Sequence, residues 1–163
     1  MNNARVVVMG VAGSGKSTVG RAAAARLGLP FFDADDLHTP EAKAQMAAGV
    51  PLTEEQRAPW LDRLHDLLAE HAAGAVLACS ALTIASRGRL ARDVDVCFVA
   101  LLVPEDVLEA RLATRPGHFV GTDLLASQLA TLELDESVVH VDGARPIDEV
   151  VDDVVRAATS DDV

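Results

Sequence analysis

The chain has 163 residues, half of them hydrophobic, and a formal net charge of −11 at pH 7. This length fits one domain with a real core, and the acidic balance disfavours a nucleic acid partner because it would repel the phosphate backbone. No apolar run approaches the roughly 18 residues of a membrane-crossing helix, so no membrane partner is expected. The first strand follows residues 1–3 directly, which leaves no room for a signal segment and predicts a cytoplasmic location.

The phosphate-binding pattern G-x-x-x-x-G-K-[ST] is matched at every fixed position by GVAGSGKS, residues 10–17. An apolar run at 6–9 precedes it and helix formers follow it, which is the strand–loop–helix context that the pattern requires. The glycines allow backbone N–H groups to turn onto phosphate oxygens at a helix N-terminus, while Lys16 reaches the β- and γ-phosphates and Ser17 offers a hydroxyl to Mg²⁺. The pattern therefore predicts an ATP site formed by Gly10, Val11, Ala12, Gly13, Ser14, Gly15, Lys16, Ser17 and Thr18.

Three carboxylates and a histidine follow the short apolar run at 31–32. Asp33 and Asp35 lie two residues apart and can point to the same side where a strand ends, which is the ligand-binding edge of an open α/β sheet. One carboxylate could hold Mg²⁺ through water while the other orients or deprotonates an acceptor hydroxyl. An acidic loop with a helix N-cap is the alternative interpretation.

Short β-type runs alternate with helical patterns along the whole chain, without a composition break or an internal repeat. This pattern predicts one α/β domain whose strands are joined by parallel crossovers. The expected strands lie at roughly 5–9, 29–32, 75–79, 95–102 and 138–141. Cys79 and Cys97 fall in apolar strands and are expected to be buried thiols.

Two helices can be drawn from their apolar stripes. Residues 53–56 have the sequence of a capping box, but Pro59 follows closely, so a short first turn and then a helix from about Pro59 to His71 are predicted. Its stripe would be Trp60, Leu61, Leu64, Leu67 and Leu68. The last helix is expected at roughly 146–158, with Ile147, Val150, Val151, Val154 and Val155 facing the sheet.

A closing lid is suggested by the stretch that follows a helix beginning near Pro104. Arg111 and Arg115 lie four residues apart on one helix face, and Pro116 and Gly117 then break the helix. A lid of this kind brings positive charge onto the transferring phosphoryl group and excludes water. A helix C-terminus carrying favourable cations is the plainer alternative.

These residues together resemble the gluconate kinases of the thermoresistant, shikimate-kinase-like type. The matching stretches are MGVAGSGKST, FFDADDLHTPEAKAQMAAGVPLTEEQRAPWL, CSAL at 79–82 and RPGHFVGTDLLASQLATLE, and they cover nearly the whole chain. The resemblance implies ATP- and Mg²⁺-dependent phosphorylation of D-gluconate to 6-phosphogluconate. It also implies one domain over residues 1–163 with a three-layer P-loop kinase fold: a five-stranded parallel sheet, a lid at about 112–125 and a substrate-binding helical region at about 36–72.

The resemblance also implies roles for individual residues. Lys16, Asp33, Asp35 and Arg115 would be catalytic, and Ser17 with Asp33 would face the metal. Arg111 and Pro146 would contact the adenine, by analogy with shikimate kinases. The acceptor would be bound by Asp35, His38, Arg57, Trp60, Ser80, Arg87, His118 and Gln128.

The chain departs from the family pattern after CSAL, where Thr83 and Ile84 stand in place of basic residues. Gluconate is the expected small-molecule substrate, and another sugar acid or a shikimate-like polyol is the alternative. A guanine-reading N-K-x-D motif is absent from the sequence, which argues against a regulatory GTPase. A non-catalytic nucleotide-binding module is a further alternative, and a homodimer is left open.

Overall fold

A five-stranded, wholly parallel sheet forms the centre of the computed structural model, which describes residues 4–114 and 121–160. The strands lie in the order β2-β3-β1-β4-β5, so that β1, which leads into the phosphate loop, is in the middle. This arrangement confirms the predicted fold class. The strands are β1 (Arg5–Met9), β2 (Phe31–Asp33), β3 (Ala75–Ala78), β4 (Cys97–Leu102) and β5 (Val138–Asp142).

Helices cover both faces of the sheet because the side chains of a buried strand alternate between two apolar layers. In β1, Val6 and Val8 pack with α1 and α7, whereas Val7 and Met9 pack on the other face with α3. One 3₁₀ turn, Ala34–Leu37, follows β2. The α-helices are α1 (Lys16–Leu27), α2 (Pro40–Ala47), α3 (Glu54–Glu70), α4 (Ile84–Leu90), α5 (Glu105–Ala113), α6 (Gly121–Thr131) and α7 (Ile147–Thr159). Within the described ranges, no helix is both long and apolar enough to cross a bilayer.

Two strands begin later than predicted. β2 begins at Phe31 rather than residue 29, since Gly28 ends α1 in a left-handed conformation and Pro30 has no N–H to donate to a ladder. β4 begins at Cys97 rather than residue 95, because the chain turns at Asp93, whose φ is 60°. The other three strands lie within one residue of their predicted bounds.

The prediction that a helix begins only at Pro59 was wrong. α3 runs without a break from Glu54, and its capping box is formed: Gln56 N–H donates to Thr53 Oγ1 over 3.1 Å and Thr53 N–H donates to Gln56 Oε1 over 2.9 Å. Pro59 lies near the start of the helix, where it removes one backbone bond, to Glu55. The cap and the buried stripe outweigh that loss. The buried members of the stripe are Trp60, Leu61, Leu64 and Leu68, and Leu67 packs beside them half-buried.

Two predictions of burial also need correction. Ile147 is 55% exposed, because it is the first residue of α7 and lies beyond the part of the helix that crosses the sheet, where Val150, Val151 and Val154 are buried. Cys97 is half-buried at the start of β4, whereas Cys79 is fully buried. Both thiols are free, and burial raises the pKa of Cys79 to about 12.

Candidate active site

The phosphate loop has the backbone conformation that its glycines were predicted to allow. Gly13 and Gly15 have φ values of 84° and 94°, which L side chains rarely adopt. A Cβ on Gly10 would lie 2.6 Å from Ser14 Oγ and 3.1 Å from the Leu101 carbonyl oxygen. The loop therefore leaves no room for a side chain at residue 10.

The loop opens onto the N-terminus of α1, where an anion would be stabilised. α1 begins at Lys16, its N-cap residue Gly15 makes no side-chain capping bond, and its first turn has no acidic residue. The N–H groups of this turn carry the positive end of the helix dipole. Ser14 Oγ is buried and has no hydrogen-bond partner among the described residues. These groups fit a triphosphate, whose oxygens would accept from them.

Lys16 and Ser17 extend this site on its polar side. Lys16 Nζ donates to the Val11 carbonyl oxygen over 3.2 Å, so its ammonium lies above the loop. Ser17 Oγ donates to Asp33 Oδ2 over 2.7 Å. A serine hydroxyl and a carboxylate in contact are the hard oxygen ligands that Mg²⁺ takes beside phosphate and water, so this pair fits the predicted metal site.

Asp33 and Asp35 lie together at the carboxyl end of β2. Asp33 Oδ1 accepts from the Asp35 N–H over 3.1 Å, so Asp33 is the N-cap of the 3₁₀ turn Ala34–Leu37. One oxygen of Asp33 is thereby directed to Ser17 and the other is held by the turn. Asp35 is exposed, which leaves its carboxylate accessible to an acceptor.

The 3₁₀ turn that contains Asp35 is held in place by α3. Trp60 Nε1 donates to the Ala34 carbonyl oxygen over 2.8 Å, and Arg63 donates twice to the Leu37 carbonyl oxygen. His38 stacks on Trp60 with ring centroids 4.1 Å apart and an angle of 13° between the rings. Sequence analysis missed Arg63, although its position one turn after Trp60 places both on the side of α3 that faces this turn.

The environment of His38 combines burial with positive charge. Burial lowers the pKa of His38 below its ordinary value of 6.5, Asp35 opposes the shift, and Arg63, Arg57 and Lys43 lower the pKa further. Its Nδ1 atom is buried and has no hydrogen-bond partner within the described part of the chain. His38 therefore lies near one carboxylate and three cations in a protein whose net charge is strongly negative.

A cleft of about 200 Å³ lies between α2 and α3 and is lined in part by His38 and Trp60. A second cavity of about 400 Å³ borders β2 and includes Asp33 in its wall. Arg57 is half-buried in the first turns of α3, and Ser80 is half-buried just after β3, at the carboxyl edge of the sheet. The fold thus brings His38, Arg57 and Trp60 into one region, with Asp35 close to His38.

Two residues expected to line the acceptor pocket make hydrogen bonds with the protein, and their role at the acceptor stays a prediction. Arg87 is only 3% exposed, and its guanidinium donates to the carbonyl oxygens of Ala81 and Glu133 over 2.8 and 2.7 Å. Gln128 Oε1 accepts from the Ala12 N–H of the phosphate loop over 2.6 Å. In these positions Arg87 holds the loop after β3, and Gln128 contacts the phosphate loop.

Arg111 joins the phosphate loop to the loop after β5. Its Nη1 donates to the Gly13 carbonyl oxygen over 3.1 Å and its Nη2 donates to the Gly143 carbonyl oxygen over 3.0 Å. Pro146 is exposed three residues after Gly143 and directly precedes α7. The two residues predicted to contact adenine therefore belong to adjoining segments.

The predicted lid lies only partly within the described residues. Leu112 and Leu125, near its two ends, are buried in one apolar cluster between α5 and α6, so these ends belong to the packed structure. Arg115 and His118 lie outside the described residues.

Comparison with known proteins shows the family to which the chain belongs. The family model for Shikimate kinase matches residues 12–154. The gluconokinase of Gluconobacter oxydans (strain 621H) is 43% identical over 96% of this chain and 92% of its own length. The thermoresistant gluconokinase of Escherichia coli (strain K12) is 38% identical over 89% and 87%. A crystal structure of a gluconokinase from Sinorhizobium meliloti 1021 superposes with a TM-score of 0.87 at 40% identity, covering 96% of this chain and 92% of that one. The chain belongs to the gluconokinases, within the shikimate kinase family.

Proposed function

We propose that this chain is a gluconokinase, which transfers the γ-phosphoryl group of ATP to D-gluconate and forms 6-phospho-D-gluconate. The observation that carries the proposal is the position of Asp35. It follows the carboxylate that contacts the phosphate-loop serine, and it lies near His38, which Arg63, Arg57 and Lys43 also approach. An anionic acceptor with hydroxyl groups fits this combination of a positive rim and an exposed carboxylate.

In this proposal the phosphate loop and Lys16 hold the triphosphate, because their N–H groups and ammonium compensate its charge. The hydroxyl oxygen of the acceptor attacks the γ-phosphorus while Asp35 accepts the hydroxyl proton. The bond from the γ-phosphorus to ADP breaks, and ADP is released. Ser17 and Asp33 would hold Mg²⁺, which neutralises phosphate charge when bound. Arg57 and Arg63 would attract the carboxylate of the acceptor.

A kinase for another sugar acid or a shikimate-like polyol is the alternative, and the relatives named gluconokinase do not favour it. Thr83 caps α4, accepting from the Ser86 N–H over 3.0 Å, and Ile84 is 49% exposed, where family-like chains carry basic residues. A different distribution of charge at this position would suit a different acceptor.

A coupled assay of ATP consumption tests the proposal. Gluconate, other sugar acids, shikimate and neutral polyols are supplied in turn to the purified protein, with Lys16→Ala as the inactive control. We expect the highest kcat/KM with gluconate and no turnover by the control variant at equal folded content. Equal rates with and without every acceptor would overturn the kinase proposal, and a higher kcat/KM with a different acceptor would replace gluconate alone. Cytoplasmic location and homodimer formation stay predictions.

A further inference from the structure

The two loops that form the proposed active site are both attached to α6. At one position in the helix, Gln128 Oε1 accepts from the Ala12 N–H of the phosphate loop over 2.6 Å. Just after the helix, the Glu133 N–H donates to the Leu82 carbonyl oxygen over 2.8 Å. Gln128 and Glu133 are only five residues apart in the chain, so one short segment contacts both loops.

Glu133 holds the loop after β3 through three of its polar atoms. Besides its N–H, its Oε1 accepts from the Ile84 N–H over 3.0 Å, and its carbonyl oxygen accepts from Arg87 Nη2 over 2.7 Å. This loop follows Ser80, which is predicted to line the acceptor pocket, and it contains Ala81, whose φ is 43°. A left-handed alanine costs energy, and the contacts of Glu133 with Leu82, Ile84 and Arg87, which follow it, help to maintain that conformation.

An apolar contact connects the same two loops to the same helix. Val11 of the phosphate loop and Leu82 of the loop after β3 are buried in one cluster with Leu108 and Leu112 of α5 and Leu125 of α6. The backbone of α6 continues the connection, because the Gln128 carbonyl oxygen accepts from the Leu132 N–H over 2.9 Å, next to Glu133. Both the hydrogen bonds and the apolar contacts therefore connect the two loops to the segment formed by α6 and the residues just after it.

We propose that α6, together with the two residues that follow it, is a brace that fixes the phosphate loop relative to the loop after β3, with Gln128 in the helix and Glu133 just after it as the two positioning residues. The inference rests on the proposed kinase function and assigns both residues to alignment of the two bound reactants rather than to contact with either. Gln128 orients the phosphate loop through Ala12, and Glu133 orients the acceptor side through Leu82 and Ile84. Small displacements of aligned reactants have large effects on turnover, so a brace between the two loops acts on kcat as well as on binding.

The test compares Gln128→Met, Glu133→Ala and the double variant. Gln128→Met keeps helix propensity and volume but removes the accepting oxygen, and Glu133→Ala removes the contact with Ile84 N–H. We expect Gln128→Met to raise the Kd for ATP by about threefold to tenfold, measured calorimetrically without acceptor, with the KM for gluconate within about twofold of the parent. Glu133→Ala should raise the KM for gluconate by about threefold to tenfold and leave the Kd for ATP within about twofold of the parent. Both variants should also lower kcat.

Matched controls separate positioning from general destabilisation. Ser127→Met places the same side chain on an exposed neighbour in α6, and Glu136→Ala removes an exposed glutamate just beyond Glu133. Both should match the parent in Kd, KM and kcat. Glu133→Gln keeps an accepting oxygen for the Ile84 N–H, so it should restore most of the activity that Glu133→Ala loses.

The double variant distinguishes a brace from two separate contacts. If α6 aligns the loops, release of one end already removes the alignment, so the combined loss of kcat is smaller than the product of the single losses. A combined loss equal to the product would overturn the brace, and so would variants that lower only the melting temperature. If gluconate were not the acceptor, the Kd for ATP would still test the Gln128 contact and the best acceptor from the screen would be used for kcat, so failure of the two proposals can be told apart.

Discussion

The Ser17 hydroxyl donates to Asp33 Oδ2 over 2.7 Å, which joins the first turn of α1 to the carboxyl end of β2. The strand that leads into α1 is β1, and it is not a neighbour of β2, since β3 lies between them in the sheet. The contact is therefore produced by the crossover of α1 rather than by strand pairing. It places a hydroxyl and a carboxylate beside the phosphate loop, where the proposed metal ion would bind.

Asp33→Asn should weaken Mg²⁺ binding, because the amide keeps the shape of the side chain but loses the negative charge that a divalent cation needs. We expect the Mg²⁺ concentration for half-maximal rate to rise roughly tenfold or more. Asp36→Asn, which changes a nearby exposed carboxylate in the same way, serves as control. An unchanged Mg²⁺ titration of Asp33→Asn would assign the metal to other groups.

Asp35→Asn removes the proposed base while the Asp35 N–H can still donate to Asp33. We expect kcat to fall by roughly 10² or more, because proton transfer from the acceptor hydroxyl loses its base. The KM for ATP should change little, since the residue lies on the acceptor side. Measured kcat close to that of the parent at saturating substrates would show that Asp35 is not the base.

Substitutions in the loop after β3 test the identity of the acceptor. Ile84→Lys adds a cation at an exposed position, so it should lower the KM for gluconate by about twofold to fivefold, and the gain should shrink at high salt. Thr83→Lys is the poorer choice, because Thr83 caps α4 and its loss would cost about 1 kcal/mol of stability. The control is a neutral polyol, for which Ile84→Lys should leave the KM unchanged. A gain of equal size for the polyol would contradict the electrostatic explanation.

His38 should make folding stability depend on pH. Because burial holds its pKa below the value of 6.5 in the unfolded chain, the unfolded state binds more protons as the pH falls through this range. The contribution of His38 is therefore favourable above about pH 6.5 and is progressively lost below it, towards the lowered pKa. His38→Phe keeps an aromatic ring on Trp60 and cannot titrate, so its melting temperature should fall less between about pH 7.5 and about pH 5.5.

His140→Gln, at an exposed position of β5, is the control for this pH dependence and should follow the parent. Equal pH dependence of the parent and His38→Phe would show that other groups determine the loss of stability.

The sequence predicted the features that depend on neighbours in the chain. The phosphate loop, the carboxylates after β2 and the positions of five strands all follow from local patterns of glycine, charge and apolar residues. Contacts between distant residues were not predictable in this way. Gln128 and Ala12 are 116 residues apart, and Arg87 and Glu133 are 46 apart, so their pairing depends on how α6 packs.

Local rules also failed where two of them compete. Pro59 predicts a late start of α3 and the capping box predicts an early one, and the early start is observed because a proline near a helix start removes only one bond. Ile147 fits the apolar period of α7, but a helix end can extend past the sheet that buries its middle. In both cases the tertiary contacts of the whole helix determine the outcome.

No residue of α2 is buried, and its contact with α3 includes a reciprocal amide pair in which Gln45 and Gln56 donate to each other over 3.0 and 2.9 Å. Substitutions in this helix remove little apolar surface from the core, so most of them cost little stability. The strands of the sheet, by contrast, are largely buried, so substitutions there remove core contacts. Substitutions in α2 can therefore reshape the cleft between α2 and α3 while the sheet and the phosphate loop stay as they are.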